Sequence, residues 1–169
     1  MQTLTADQLV QKYLMLPHPE GGFYKETYRC IQTIPQQILS RKFAGERNIS
    51  TAIYFLLEQG NFSGFHKIKS DECWHFYAGG PMNVYVIHIN GHMETIKLGN
   101  DIGQSQTFQH VVPSGCWFAS EPSPDAAFSF VGCTVAPGFD FDDFELAEAS
   151  SLIKIYPQHK DIIKRLCRQ

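Results

Sequence analysis

The densest set of side chains able to do chemistry lies in Ser63-Gly-Phe-His-Lys-Ile-Lys-Ser-Asp-Glu-Cys-Trp-His-Phe-Tyr-Ala-Gly79. His66 ends one short apolar run and Glu72 starts the next, with Lys69-Ser-Asp71 free to turn between them. Strand side chains alternate, so a tight turn puts His66, Ile68, Glu72, Trp74 and Phe76 on one face and points His75 away. A histidine and a carboxylate on one concave face can ligate a metal or act as base and acid. Taken alone, such a pair is more often a structural contact than a catalytic one.

A second segment, Glu20-Gly-Gly-Phe-Tyr-Lys-Glu-Thr-Tyr28, opens on two glycines that permit a turn or a close backbone approach. Strict alternation then places Tyr24, Glu26 and Tyr28 on one face. A carboxylate turned inward among aromatics is costly unless it meets a ligand or partner group, which makes Glu26 a ligand-binding candidate. Trp74, Trp117 and Phe118 offer rings that could stack on a planar ligand or simply fill a core. Phe139-Asp-Phe-Asp-Asp-Phe-Glu145 alternates aromatic and acidic residues, as a half-buried edge strand does. The chain has no phosphate loop, H-E-x-x-H, nucleophile elbow or zinc-finger spacing.

These residues need strands to hold them. Short β-branched and aromatic runs recur near 22–29, 50–57, 62–69, 72–78, 82–89, 93–98, 107–112, 116–120 and 127–136, separated by Gly, Pro, Asn and Asp. Asn90-Gly91, between Val84-Tyr-Val-Ile-His-Ile89 and His92-Met-Glu-Thr-Ile-Lys97, predicts a two-residue type I′ hairpin. Thr5 and Gln8 form a capping-box pattern that predicts a helix over about 5–16, stopped by Pro17. Pro157 opens a second apolar-striped stretch, predicting a helix over about 157–167. The pattern is that of an all-β sandwich or barrel with short helices at both ends, expected to form one domain across 1–169 with its core at about 18–147.

Composition agrees. Of 169 residues 43% are hydrophobic, 13% aromatic and only 18% charged, too rich in rings for a disordered tail. The longest apolar run, Ala52-Ile-Tyr-Phe-Leu-Leu57, is far short of the ~20 residues of a membrane helix. A net charge of −3 gives no global basic field, so neither a membrane nor a nucleic acid is expected as partner. Five cysteines without a C-x-x-C pair suggest reduced thiols, and the N-terminus lacks the pattern of a signal peptide; a cytoplasmic location is expected. Both faces of Ile53-Tyr-Phe-Leu-Leu57 are apolar, so the outer one should pack on a terminal helix or on a second copy in a homodimer.

Gly64 to Gly79 resembles the first motif of the cupin superfamily: Gly, His, x, His, three residues, Glu, six residues, Gly. His66, Glu72 and Gly79 match it. Val111-Val-Pro-Ser-Gly-Cys-Trp-Phe-Ala119 resembles the second motif, with Pro113 and Gly115 in place. Pro17-His-Pro-Glu-Gly-Gly-Phe-Tyr-Lys-Glu-Thr-Tyr28, Ser70-Asp-Glu-Cys-Trp-His-Phe-Tyr77 and Val131-Gly-Cys-Thr-Val-Ala-Pro-Gly-Phe-Asp-Phe141 resemble the hallmarks of one cupin branch, a domain of unknown function. The resemblance implies a cupin-type double-stranded β-helix, or jelly-roll, barrel.

Metal-binding cupins offer three His and one Glu. Here Ile68 and Phe118 occupy two of the His positions, leaving His66 and Glu72 as the remaining metal candidates, so no metal cofactor is expected. His75, His88 or His110 could substitute, His75 only if a bulge turns it inward. The resemblance to cupin-type sugar-nucleotide epimerases is closer: these work without metal, with a base at the position of His66 and a tyrosine as the opposing acid. Tyr28 and Tyr54 are the candidates for that acid, with Glu72 beside His66 and with Glu26, Trp74, His75, Trp117 and Phe118 as ligand contacts. An Arg common to those epimerases is Ser63 here. The expected function is small-molecule binding, with isomerase or epimerase chemistry on a carbohydrate-like or sugar-nucleotide-like ligand. A non-catalytic binding or sensing protein is the alternative, and a metal-dependent enzyme with a reduced ligand set is the third reading.

Overall fold

The structure, a computed structural model, describes residues 4–168. Helix α1 (Ala6–Tyr13) starts where the capping box predicts. Thr5 Oγ1 accepts from the Gln8 amide at 3.3 Å, and the Gln8 side chain accepts from the Thr5 amide at 3.1 Å. It ends before Pro17, at Leu14 in the left-handed conformation.

Strands follow at all nine predicted places: β2 (Phe23–Arg29), β5 (Thr51–Glu58), β6 (Ser63–Lys67), β7 (Asp71–Gly79), β8 (Met82–Ile87), β9 (Met93–Leu98), β10 (Gln109–Val112), β11 (Trp117–Pro122) and β12 (Phe128–Ala136). Four two-residue strands join them: β1 (Leu16–Pro17), β3 (Thr33–Ile34), β4 (Arg47–Asn48) and β13 (Glu145–Leu146). One antiparallel sheet runs β1-β2-β5-β12-β7-β10 and the other β13-β6-β11-β8-β9, as in a cupin jelly roll. The sheets share a core that includes Phe55, Leu57, Trp74, Val84, Phe118 and Val131.

Several local expectations are corrected. The β8–β9 hairpin pairs Ile87 with Met93, one residue out of the two-residue register, and the His88 amide donates to the His92 carbonyl at 2.8 Å. Gly91 takes φ +83°, the left-handed position of a three-residue hairpin loop. Residues 139–144 do not form the expected edge strand, and only Glu145, in β13, lies at a sheet edge. They make a short 3-10 turn at Phe141–Asp143, because Asp143 turns inward onto Arg47. The C-terminal helix does open at Pro157, as a 3-10 turn (Pro157–His159) that continues into α3 (Lys160–Leu166), and an unpredicted α2 (Ala149–Ile155) precedes it, capped by Glu148.

The outer faces of both sheets are partly covered by helices. Leu9 and Tyr13 of α1 pack with Leu56, Tyr54 and Phe130, while α2 and α3 cover Phe65 and Trp117. The apolar outer face of β5 therefore meets the N-terminal helix.

Candidate functional site

A cavity of about 430 Å³ opens at one end of the core. Strand alternation brings His66 from β6, Glu72 from β7 and Cys133 and Val135 from β12 into it, with Ile68 just beyond β6. β2 contributes Tyr24 and Glu26, then breaks register between Glu26 and Tyr28 through an extra residue, Thr27. The bulge exchanges the faces beyond it: Arg29 lines the cavity, while Tyr28 is half exposed and turned out. The inward position expected for Tyr28 is thus corrected.

The turn before β2 supplies two further groups, His18 and Glu20. Its shape depends on Gly21 and Gly22, at φ +117° and +73°. The Gly21 amide donates to the His18 carbonyl and the His18 amide to that of Gly22, both at 3.0 Å, and Gly64 anchors the Glu20 carbonyl at 2.8 Å. Near the end of the chain, Arg168 Nε donates to the same carbonyl at 2.9 Å, and its Nη2 donates to Asn61 Oδ1 and the Phe62 carbonyl. A Cβ on Gly21 would collide with that guanidinium.

Glu20 and His66 meet at the heart of the cavity, with His66 Nε2 and Glu20 Oε2 3.0 Å apart and both side chains buried. His66 Nδ1 lies 2.8 Å from the Gly64 carbonyl, which only accepts, so Nδ1 carries a proton. Burial, helped by nearby His18, pushes His66 down to about 3 against the pull of that carbonyl. Burial and the Glu72 carboxylate push Glu20 well above the usual carboxylate range. Both directions put the shared proton on Glu20, which donates to a neutral His66 Nε2.

His18 Nδ1 accepts from the Glu20 amide at 3.3 Å, and burial holds this ring neutral with a pKa of about 4. Glu72 is raised to about 7, again by burial, against a hydrogen bond from the Cys133 thiol. The site therefore holds a neutral acid–imidazole pair and a carboxyl group able to gain or lose a proton near neutral pH.

Phe118 lies under the His66 ring with centroids 4.0 Å apart, and Phe144 lies 5.3 Å away. Phe139, Phe141 and Phe144 form an aromatic wall, their centroids 5.1–6.3 Å apart. At the mouth, Arg29 grips Glu26 through two bonds of 3.0 and 2.7 Å, while its Nη1 donates to Asn48 Oδ1 and the Phe139 carbonyl.

Of the residues singled out from sequence, His66, Glu72 and Glu26 line this cavity. Trp74 and Phe118 point inward but belong to the packed core. Tyr54 faces outward under α1, Trp117 packs on the helical side beneath Lys67, and His75 faces outward to Thr134 Oγ1 and Gln109. His18, Glu20, Arg29, Cys133, Asp140 and the Phe139–Phe144 wall were not foreseen. The positive-φ glycine pair was the available signal for the first two; the shift to Arg29 depends on a bulge that alternation does not reveal.

The donor set does not fit the metal that many cupins hold. Ile68 and Phe118 replace two ligands, and Glu20 occupies Nε2 of His66. Among the described residues no three His, Cys, Asp or Glu side chains are grouped to hold an ion. No helix among them is long and apolar enough to cross a membrane.

Comparison with known proteins agrees with this architecture. The chain is 30% identical to the uncharacterized Saccharomyces cerevisiae protein YML079W over 156 residues, covering 87% of this chain and 77% of that protein. A hypothetical protein from Leishmania major superposes with a TM-score of 0.90 at 30% identity, over 98% of this chain and 100% of the other. Protein SO0799 from Shewanella oneidensis gives 0.88 at 38% identity, over 98% and 99%. Oxalate decarboxylase from Bacillus subtilis shares the fold alone, with a TM-score of 0.54 at 14% identity over 89% of this chain and 36% of that one. The family model described as "Cupin superfamily (DUF985)" matches residues 7–147, and the chain belongs to that cupin family.

Proposed function

We propose that the cavity binds a small carbohydrate-like molecule and moves a proton on it, as an isomerase or epimerase does. The observation that carries this reading is the buried 3.0 Å contact between Glu20 and His66, opening into the same cavity as Glu72. A base for removing a proton next to a carbonyl works best with a pKa near the ambient pH, and Glu72 at about 7 meets that condition. Glu20 turns its proton from His66 Nε2 to the developing oxyanion and takes it back when Glu72 returns a proton to carbon. The role of base expected for His66 thus falls to Glu72, while His66 positions the protonated Glu20. Burial keeps the exchange out of bulk water.

The reading predicts that the protein speeds deuterium exchange at the carbon next to the carbonyl of a small keto sugar in D₂O, followed by proton NMR. Glu72→Gln and Glu20→Gln should each slow that exchange by about 100-fold or more, with melting temperatures showing both variants folded. Binding of sugars in a thermal-shift screen without any exchange would overturn the catalytic part and favour a binding or sensing protein. Failure of every sugar to bind would overturn the whole reading.

A further inference from the structure

The charge balance of the cavity selects among the ligands that the proposed function admits. Four carboxyl groups line it, Glu20, Glu26, Glu72 and Asp140; with Glu20 protonated, the other three stand against one guanidinium, Arg29. That guanidinium is committed to Glu26, Asn48 and the Phe139 carbonyl, so it offers no free fork for a phosphate or carboxylate. Among the described residues no lysine lines the cavity, and its two histidines are held neutral. A nucleoside diphosphate would enter a negative field with no cation to receive it.

Glu72 points the other way. Its side chain is more than nine-tenths buried in the cavity wall, yet among the described contacts the thiol of Cys133 is its one hydrogen-bond partner. A thiol is a weak donor, so a buried carboxylate there lacks the N–H donors that normally stabilise it. The groups facing it, Cys133 on β12, Glu20 on the turn before β2 and His66 on β6, bring no positive charge. The rings of Phe139, Phe141 and Phe144 line the same cavity, and aromatic faces attract cations. A carboxyl group short of donors and an aromatic wall in one cavity make a receptor for an organic cation. The volume of about 430 Å³ lies within the usual range for a small-molecule site.

We infer that the ligand carries a protonated primary amine on a polyhydroxylated frame of about monosaccharide size, with the ammonium seated against Glu72 and the frame along the phenylalanine wall. This inference rests on the cavity being the ligand site of the proposed function. It adds the charge of the ligand and excludes the sugar nucleotide.

The test compares sugars of one size that differ in charge, using calorimetry on the full chain. D-glucosamine should bind at pH 7 with a Kd at least about tenfold below that of D-glucose, and D-glucose 6-phosphate should bind more weakly than either. Binding of the amine requires an ionised Glu72, so glucosamine should release a proton on binding below neutral pH. Its affinity should rise by up to tenfold between pH 6 and 7. Glu72→Gln should bring the ratio of the two dissociation constants close to one and abolish the proton release. Glucose binding as well as glucosamine, or glucose 6-phosphate binding better, would overturn the inference and leave the proposed function standing. Binding of none of the three would overturn both.

Discussion

Glu72 couples the chemistry of the site to the stability of the fold. Its folded pKa of about 7 lies above the 4.5 of an unperturbed carboxyl, so the protein prefers it protonated. That preference is fully present below pH 4.5 and is lost as pH rises through 7, a swing on the order of 3 kcal/mol. Glu72→Gln removes the charge at constant shape. It should raise the melting temperature at pH 8 while changing little at pH 5, a comparison that calorimetry at the two values makes directly. His18 has the opposite sign. Its folded pKa of about 4 lies below its ordinary 6.5, so its contribution is present above 6.5 and fades as pH falls through 4. These oppositely signed groups share one cavity with the Glu20–His66 pair, whose shared proton sits on Glu20. The choice of His66 and Glu72 was legible from their spacing and from strand alternation. That Glu20 occupies His66 Nε2 was not, because the two lie 46 positions apart and only the Gly21-Gly22 turn brings them together.

At the level of elements, the aromatic wall hangs on an ion pair. Arg47, in β4, binds Asp143 through two bonds of 2.6 and 2.7 Å, with both side chains buried, and Lys69 adds a third contact at 3.1 Å. Burial pushes Asp143 up, but the bonds and charges of Arg47 and Lys69 overcome it and hold the carboxyl below its usual range. The pair's contribution is therefore present above about pH 3.8 and is lost as pH falls through the lower folded value. Asp143→Ala leaves Arg47 buried and unpaired and should cost about 3–5 kcal/mol in urea unfolding. Replacing both partners with leucine should recover much of that loss, since the desolvation penalty disappears with the charges. The alternating aromatic and acidic residues of 139–145 read as an edge strand because periodicity cannot see Arg47. One buried charge turns the segment inward and makes its phenylalanines a wall. Two elements away, the Thr27 bulge has a similar effect, delivering Arg29 in place of Tyr28.

Across the whole molecule, a residue from beyond α3 braces the turn that carries Glu20. Arg168 reaches back 148 positions to the Glu20 carbonyl and lies over the Phe62 ring, its centre 4.2 Å from the centroid. Gly64 leaves the space for its stem, where a Cβ would stand 2.9 Å from Arg168 Cγ. Arg168→Ala should strip the carbonyls of Glu20 and Phe62 of a donor and cost about 1–3 kcal/mol. Hydrogen exchange should quicken at Gly21 and Gly64 in that variant, while the distant β8–β9 hairpin stays protected. Arg168→Lys should rescue little, because an ammonium cannot span the three acceptors that the guanidinium reaches. The amino-acid sequence by itself determined the nine main strands, the capped first helix, the kinship with the cupins, and two of the proton-carrying groups. Those features rest on local alternation, local hydrogen bonds and motif spacing, which a linear chain displays. Only the tertiary structure decided the partner of His66, the inward turn of Asp143, the register beyond Thr27 and the closure of the turn by Arg168. Each depends on buried polar groups finding partners tens of residues away, and burial is a property of the packed chain rather than of any stretch of it.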